Sequence, residues 1–596
     1  VSFHPNDVQR RGRVAALVCS LAIAWLTVSF FRAQVLDTAR YRLSSEKNRL
    51  REVPIPAPRG IIYDRHGQVI AESVPGYSVS ILATSSDSLR ATLIRLTSIL
   101  ALTPEEIDGA VRRYRREPNR PTVVFGDATF DQVSVLEEHR TEFPSLIIQS
   151  APKRAYPDGP IVSAFAGYTG QITESELNSP QYEGYKSGQE LGKAGLEKQY
   201  EDSLRGREGS RFVEVDARGR VVRERGARPD VPAVPGKAIK TNIDLDLQRF
   251  VAAYFGDTLV GGVVAMEPHT GAVLAIHSAP SFDPNRFIGG IPTDYWNQLR
   301  NDERRPLFNK AMQGRYPPAS TFKLATAALG LQAGVIDFET RMPQPCTGGY
   351  AYGRYWRCWE SKGHGSLNLT QAIAKSCDVY FYQLGLRLTL SKLLAGGVSL
   401  HMNERSNIDL PAETTPVWPA SVEYYDRVFG KGRWTNGVTL NLAIGQGENT
   451  QTILNMTRFY TALATDGAAA QPQVVQSLPV RTKLLTLTPE QLLGLRVAMG
   501  DVVSGRGTAG SAAIAGVQLA GKTGTAQNET GRDHAWFVGF APQEDPKIVV
   551  AVMLWQGEHG YSAARIASKV ISHYLKRPAI EPVNIEGARV GGGGGQ

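Results

Sequence analysis

Hydrophobic and polar positions first separate one long apolar block from everything that follows. Residues 14–31 run without a charged side chain and are long enough for one membrane crossing. Arg10, Arg11 and Arg13 precede the block. By the positive-inside rule the tail 1–13 stays in the cytoplasm and everything after Arg32 lies outside. The rival reading is a cleavable leader, whose apolar region is usually shorter and is followed by an Ala-x-Ala-like site. Phe30-Phe31-Arg32-Ala33-Gln34 does not look like one, so a retained single-pass anchor at 14–31 is expected. Residues 41–51 are polar and charged and read as a stalk, and 58–67 with 68–71 read as strand, turn, strand. Helical periodicity over 88–100 and 104–116 then alternates with strand-like 121–125 and 145–149. The Pro-rich stretch 229–235 marks a domain boundary. Beyond it, 244–255 is an amphipathic helix, and 262–267 and 272–277 form a hairpin about Pro268-His269-Thr270-Gly271. Near the far end, 535–540 and 547–554 are strands around Ala541-Pro542, and 562–575 is a closing helix. Strands at both ends with helices between predict an α+β enzyme domain, an antiparallel sheet covered by helices beside an all-helical part.

Length and charge narrow this picture. At 596 residues the chain is too long for one core and suggests two or three domains. The net charge of +9 is spread along the sequence. The arginines gathered between Arg205 and Arg228 are interleaved with Glu208, Glu214, Asp216 and Glu224, a solvated, strand-rich surface rather than a nucleic-acid site. The run Gly591 to Gly595 reads as a flexible linker and takes no part in the fold.

Chemistry concentrates in three short motifs. In Tyr316-Pro317-Pro318-Ala319-Ser320-Thr321-Phe322-Lys323 a serine and a lysine lie three residues apart, where a helix begins. They share one face of its first turn, so the amine can reach the hydroxyl, and free backbone N–H groups there can meet a developing oxyanion. Alone, Ser-x-x-Lys is a weak signal that an ordinary helix turn also produces. Downstream come Ser376-Cys377-Asp378 and Lys522-Thr523-Gly524-Thr525. The order Ser-x-x-Lys, Ser-x-Asn, Lys-Thr-Gly is the signature of penicillin-binding proteins and class A β-lactamases.

On these motifs and the N-terminal anchor, the sequence resembles the class B penicillin-binding proteins, and most closely their elongation type. Pro58-Arg59-Gly60-Ile61-Ile62-Tyr63-Asp64-Arg65-His66-Gly67 resembles the opening of that family's non-catalytic pedestal, which implies partner contact. The resemblance places an anchor at 14–31, a pedestal at 32–235 with a head inserted at about 83–150, a transpeptidase domain at 236–580 and a tail at 581–596. Gly192 to Tyr200 and Leu204-Arg205-Gly206 look like the return from head to pedestal. The head is implied to open and close over the pedestal. Gly445-Gln446-Gly447 and Thr452-Ile453-Leu454-Asn455-Met456 are also family-like, with Ile453 and Asn455 where Pro and Gln are usual, and are given a structural role.

The resemblance also implies the chemistry. Ser320 attacks the penultimate D-alanine carbonyl of a peptidoglycan stem peptide, and Lys323 serves as base if it is neutral, which burial and the second cation Lys522 both favour. Ser376 relays a proton, with Lys522 close by. Thr523 and Thr525 of the Lys522-Thr523-Gly524-Thr525 strand bind the substrate carboxylate, and the N–H groups of Ser320 and Thr525 form the oxyanion hole. No cofactor is needed for catalysis. Implied partners are stem peptides, β-lactams, the membrane, and a SEDS-type glycosyltransferase in the elongation complex. Asp378 stands where the general motif has Asn, as in many elongation-type members. It could accept from a substrate amide or pair with a lysine. Ala319 stands where Gly is frequent, which is unremarkable for a residue leading into a helix. The alternatives are a division-type transpeptidase, a β-lactamase or β-lactam sensor, and a scaffold that activates a glycosyltransferase. Against hydrolysis, no Glu-x-x-x-Asn can be assigned as a deacylating base, and against sensing, no output domain is visible.

Cysteine usage adds a separate expectation. Cys19 is in the anchor, and Cys346, Cys358 and Cys377 lie in the enzyme domain with His364 among them, at spacings of 12, 6 and 13 residues. Three thiolates and one imidazole would complete a closed tetrahedral zinc site of structural role. Some elongation-type members carry a metal at this place. The other readings are a Cys346–Cys358 disulfide with Cys377 free, or three reduced thiols. His269, His277 and His534 have no such company and read as surface or core histidines.

Overall fold

The computed structural model describes residues 5–38, 50–118, 120–216, 221–223, 228–504, 507–527, 531–557 and 559–576. Most of the expected stalk, Glu224 and the whole tail 581–596 fall outside these. The apolar block is one helix, Pro5–Phe31, prolonged by a wider turn, Arg32–Leu36. It is longer at both ends than its uncharged stretch because the arginines at its start are good helix formers. Over Gln9–Leu36 it is long and apolar enough to cross a membrane, with its side chains exposed, as fits a single-pass anchor.

Next comes a region built mainly on two sheets. Leu50–Ile55, Gly209–Val215 and Val221–Arg223 form one. In the other, Ile239–Lys240 pairs in parallel with Ile62–Tyr63, which pairs with the long strand Val69–Ile81. Pairing with this region therefore continues past the Pro-rich 229–235. Val69–Ile81 also carries Leu146–Ala155 along ten residues, from Glu72 opposite Ala155 to Ile81 opposite Leu146. This ribbon leads out to the head, which has its own core. Leu89, Leu93, Leu96 and Leu100 on Ser86–Leu100 meet Ile107, Val111 and Tyr114 of Pro104–Arg116. The second helix starts sharply because Pro104 presets its first residue and Thr103 and Glu106 cap each other's backbone. Arg59 turns inward rather than toward a partner. Its guanidinium bonds Glu197 at 2.7 Å and Glu201 at 2.8 Å, and Arg154 holds Glu197 from the other side at 2.6 Å.

The enzyme domain is built on a five-stranded antiparallel sheet, in the order Val273–Ala279, Gly261–Met266, Ile548–Leu554, His534–Ala541, Ala520–Ala526. Its inner strands are buried along their whole length and so read as continuous apolar runs. Leu245–Phe255 and Gly560–Leu575 pack together against it, and Ile453–Ala464, buried all round, packs on it as a core helix. Asp64 joins the two regions. One carboxylate oxygen accepts from the N–H groups of His66 and Gln68, the other from Leu245 at the start of the enzyme domain's first helix. Arg65 adds an ion pair to Glu267 at 2.8 Å.

Candidate active site

Ser320 sits half-buried in a tight turn, Ala319–Phe322, that runs directly into the helix Lys323–Gln332. Ala319 is in the left-handed region, φ 49°, so the alanine is not unremarkable. It occupies a conformation that favours glycine, at a cost of about 1–2 kcal/mol. The turn is held from outside. Ala319 donates its N–H to the Gly445 carbonyl at 2.9 Å, and Gly445 itself has φ 76°. A Cβ at Gly445 would lie 2.2 Å from the Ala319 carbonyl oxygen. The Thr321 hydroxyl donates to the Pro318 carbonyl at 2.6 Å, and the Tyr460 hydroxyl donates to the Thr321 carbonyl at 2.9 Å.

Lys323, fully buried, reaches away from its own turn. Its ammonium donates to the Ser376 carbonyl at 2.8 Å, the Ser376 hydroxyl at 3.3 Å and Asp378 Oδ1 at 2.7 Å. Those contacts use its three protons. Asp378 is therefore a lysine partner. Its other oxygen accepts from the Trp359 backbone N–H at 3.1 Å. Burial pushes the Asp378 carboxyl above the usual carboxylate range, against the pull of Lys323. Ser376, itself left-handed at φ 53°, occupies the turn between the helices Leu369–Ala374 and Asp378–Leu388.

Lys522, Thr523, Gly524 and Thr525 lie on the edge strand Ala520–Ala526, paired on one side with His534–Ala541. The Ser320 turn packs on this strand, since a Cβ at Gly524 would come within 3.0 Å of the Pro318 carbonyl. Lys522 is fully buried and donates to the Thr523 carbonyl at 3.2 Å. Burial, and then the charge of Lys323, hold its amine well below the ordinary lysine range. The Thr525 hydroxyl accepts from the Gly560 N–H at 3.3 Å.

The four proposed metal ligands also come together. One donor atom from each of Cys346, Cys358, His364 and Cys377 lies within 4.8 Å of the others, so four groups able to ligate a metal are gathered about one point. His364 Nδ1 is 3.6 Å from both Cys346 Sγ and Cys358 Sγ. The three thiols are free, so Cys346 and Cys358 are not bridged. The closeness of the two sulfurs lowers the Cys358 thiol and raises that of Cys377 from the ordinary range. His277 and His534 are buried and His269 is exposed.

The penicillin-binding protein transpeptidase domain matches residues 261–572, and the penicillin-binding protein dimerisation domain matches residues 54–241. The peptidoglycan D,D-transpeptidase MrdA of Acinetobacter baumannii is 31% identical over 630 aligned positions, covering 99% of this chain and 92% of that one. MrdA of Escherichia coli K12 is 32% identical, covering 95% and 94%. The chain belongs to the penicillin-binding protein 2 family. Solved structures of penicillin-binding protein 2 share its shape. That of Helicobacter pylori in complex with MreC superposes with TM-score 0.78 at 27% identity, over 88% of this chain and 99% of that one. That of Pseudomonas aeruginosa in complex with WCK 5153 gives 0.66 at 29%, over 88% and 97%.

Two residues of this penicillin-binding protein 2 family member were not legible as functional in its sequence. Thr508 bonds its hydroxyl to that of Thr523 at 2.6 Å, and Trp359 supplies the backbone donor to Asp378. Thr508 belongs to none of the motifs and to no periodic segment of the sequence. The one available signal for Trp359 was its place beside Cys358.

Proposed function

We propose that this chain cross-links peptidoglycan stem peptides through an ester on Ser320 during cell elongation, and that β-lactams inhibit it by acylating the same serine. The observation that carries this reading is the buried set Lys323, Ser376 and Asp378 behind the Ser320 turn, faced by the Lys522 to Thr525 strand, in a chain of the transpeptidase family. Ser320 Oγ attacks the carbonyl carbon of the penultimate D-alanine. Its proton goes to the Lys323 nitrogen once that amine has handed a proton to the adjacent Asp378 carboxylate, which burial makes readier to hold one. To accept it, Lys323 gives up one of its present contacts and turns its nitrogen toward Ser320. The N–H groups of Ser320 and Thr525 receive the oxyanion. The C–N bond breaks, Ser376 passes the proton to the leaving nitrogen, and the terminal D-alanine departs. Thr523 and Thr525 hold its carboxylate, which would also stabilise protonated Lys522. An acceptor amine then attacks the ester, forming the cross-link and restoring the Ser320 hydroxyl.

The elongation role and the periplasmic side of the membrane rest on kinship with MrdA and on the arginines before the anchor. Kinship also supports work beside a SEDS-type glycosyltransferase, since a solved relative comes from a peptidoglycan synthase complex, at TM-score 0.67 and 29% identity over 96% of this chain. Cys346, Cys358, His364 and Cys377 would hold a structural zinc, four ligands leaving no open position for substrate or water.

Intact mass after incubation with a β-lactam tests the enzyme reading. A persistent adduct on wild type and none on Ser320→Ala is expected. Rapid loss of the adduct with hydrolysed drug would make the protein a hydrolase, and no adduct on folded wild type would end the assignment. For the metal, elemental analysis is expected to find one zinc per chain in wild type and none in Cys358→Ser, with a lower unfolding midpoint. Metal-free wild type of full stability would remove zinc from the account.

A further inference from the structure

A short hairpin, Gly349–Tyr352 and Arg354–Arg357, leads through Cys358 to Trp359. Trp359 is 58% exposed, unusual for a tryptophan, yet it makes three donor contacts to one motif. Its backbone N–H donates to Asp378 Oδ2 at 3.1 Å, and its indole N–H is shared between the carbonyls of Lys375 at 3.1 Å and Ser376 at 3.2 Å. The Ser376 carbonyl is the same oxygen that receives the Lys323 ammonium. The indole also leans on His364, ring centroids 5.3 Å apart.

We propose that Trp359 is a positioning residue for acylation, a clasp that holds Ser376 and Asp378 in register with Lys323 and ties that register to the thiol and imidazole cluster. The inference rests on the acyl-enzyme reading above. Ser376 has a left-handed backbone that a serine does not adopt for its own sake, so something outside the turn must hold it. The indole N–H does so at the carbonyl, and the Trp359 backbone does so at the Asp378 carboxylate two residues further on. Both ends of the clasp border the cluster in sequence, since Cys358 precedes Trp359 and Cys377 lies between Ser376 and Asp378. With more than half of its surface exposed, Trp359 is placed to contribute through geometry more than through burial.

The test isolates the indole N–H. Trp359 is replaced by 3-benzothienylalanine, which keeps the ring and its area but puts sulfur where the N–H was, and in parallel by Trp359→Phe. Full-length protein is used, with a fluorescent penicillin as probe, separating the noncovalent dissociation constant from the acylation rate constant. The expected result is an acylation rate constant about tenfold lower in both variants, with unchanged noncovalent affinity, unfolding midpoint and metal content. Acylation at the wild-type rate would overturn the clasp. A slower rate that tracks a lowered unfolding midpoint would also overturn it, since the residue would then be structural. Failure of wild type itself to acylate would overturn the acyl-enzyme reading instead, so the two failures are distinguishable.

Discussion

Gly445 carries no side chain, yet the Ser320 turn depends on it. Its carbonyl holds the Ala319 N–H, and its φ of 76° lets the two backbones approach where a side chain would sit 2.2 Å from the Ala319 oxygen and 2.7 Å from Phe322 Cβ. Gly445→Ala is expected to destabilise the domain by about 3 kcal/mol, combining a left-handed alanine with overpacking against main chain. It should also slow acylation at least tenfold by shifting Ser320. Denaturant unfolding and penicillin acylation check the two effects, and a variant that keeps both would show that the turn does not lean on residue 445. At this scale the groups proposed to react, Ser320, Lys323, Ser376 and Lys522, stand out because they belong to motifs with fixed spacing. Their supports do not. The left-handed state of Ala319 is imposed by a carbonyl from a residue 126 positions later, and no local pattern in the sequence carries that information.

Among elements, agreement is best where one face, or all faces, of a segment are dictated by burial. The helix expected at 244–255 is found as Leu245–Phe255, with Asp244 as its cap, and the strand at 547–554 as Ile548–Leu554. The strand expected near 68–71 extends instead to Ile81, because Val69–Ile81 serves two neighbourhoods. Its first residues pair with Ile62–Tyr63 and the rest with the head, so its burial pattern changes midway and blurs the alternation. The hairpin Gly349–Arg357 was likewise not anticipated. Its Tyr350 and Trp356 face inward, while Tyr352 and Tyr355 are exposed, so aromatic residues stand on both faces and polarity does not mark them.

In the whole molecule, the membrane-proximal region adds a buried charge network to its apolar packing. Arg59, Glu197, Glu201 and Arg154 are buried together, and removing one member leaves an uncompensated carboxylate out of water. Arg59→Ala is expected to cost 3–5 kcal/mol, as breaking buried pairs does, and to lower the unfolding transition of that region alone. Calorimetry should then show two transitions, with penicillin acylation of the folded enzyme domain unchanged. A single unshifted transition would mean that the network contributes nothing. The ribbon that carries the head has a mechanical side. Ten paired residues at about 3.3 Å each make an arm of about 30 Å, rooted beside these arginines. A turn of about 10° at the root would sweep the far end through about 5 Å, so the head is a long pointer on a short axle, and small rearrangements at the axle are read out at its tip.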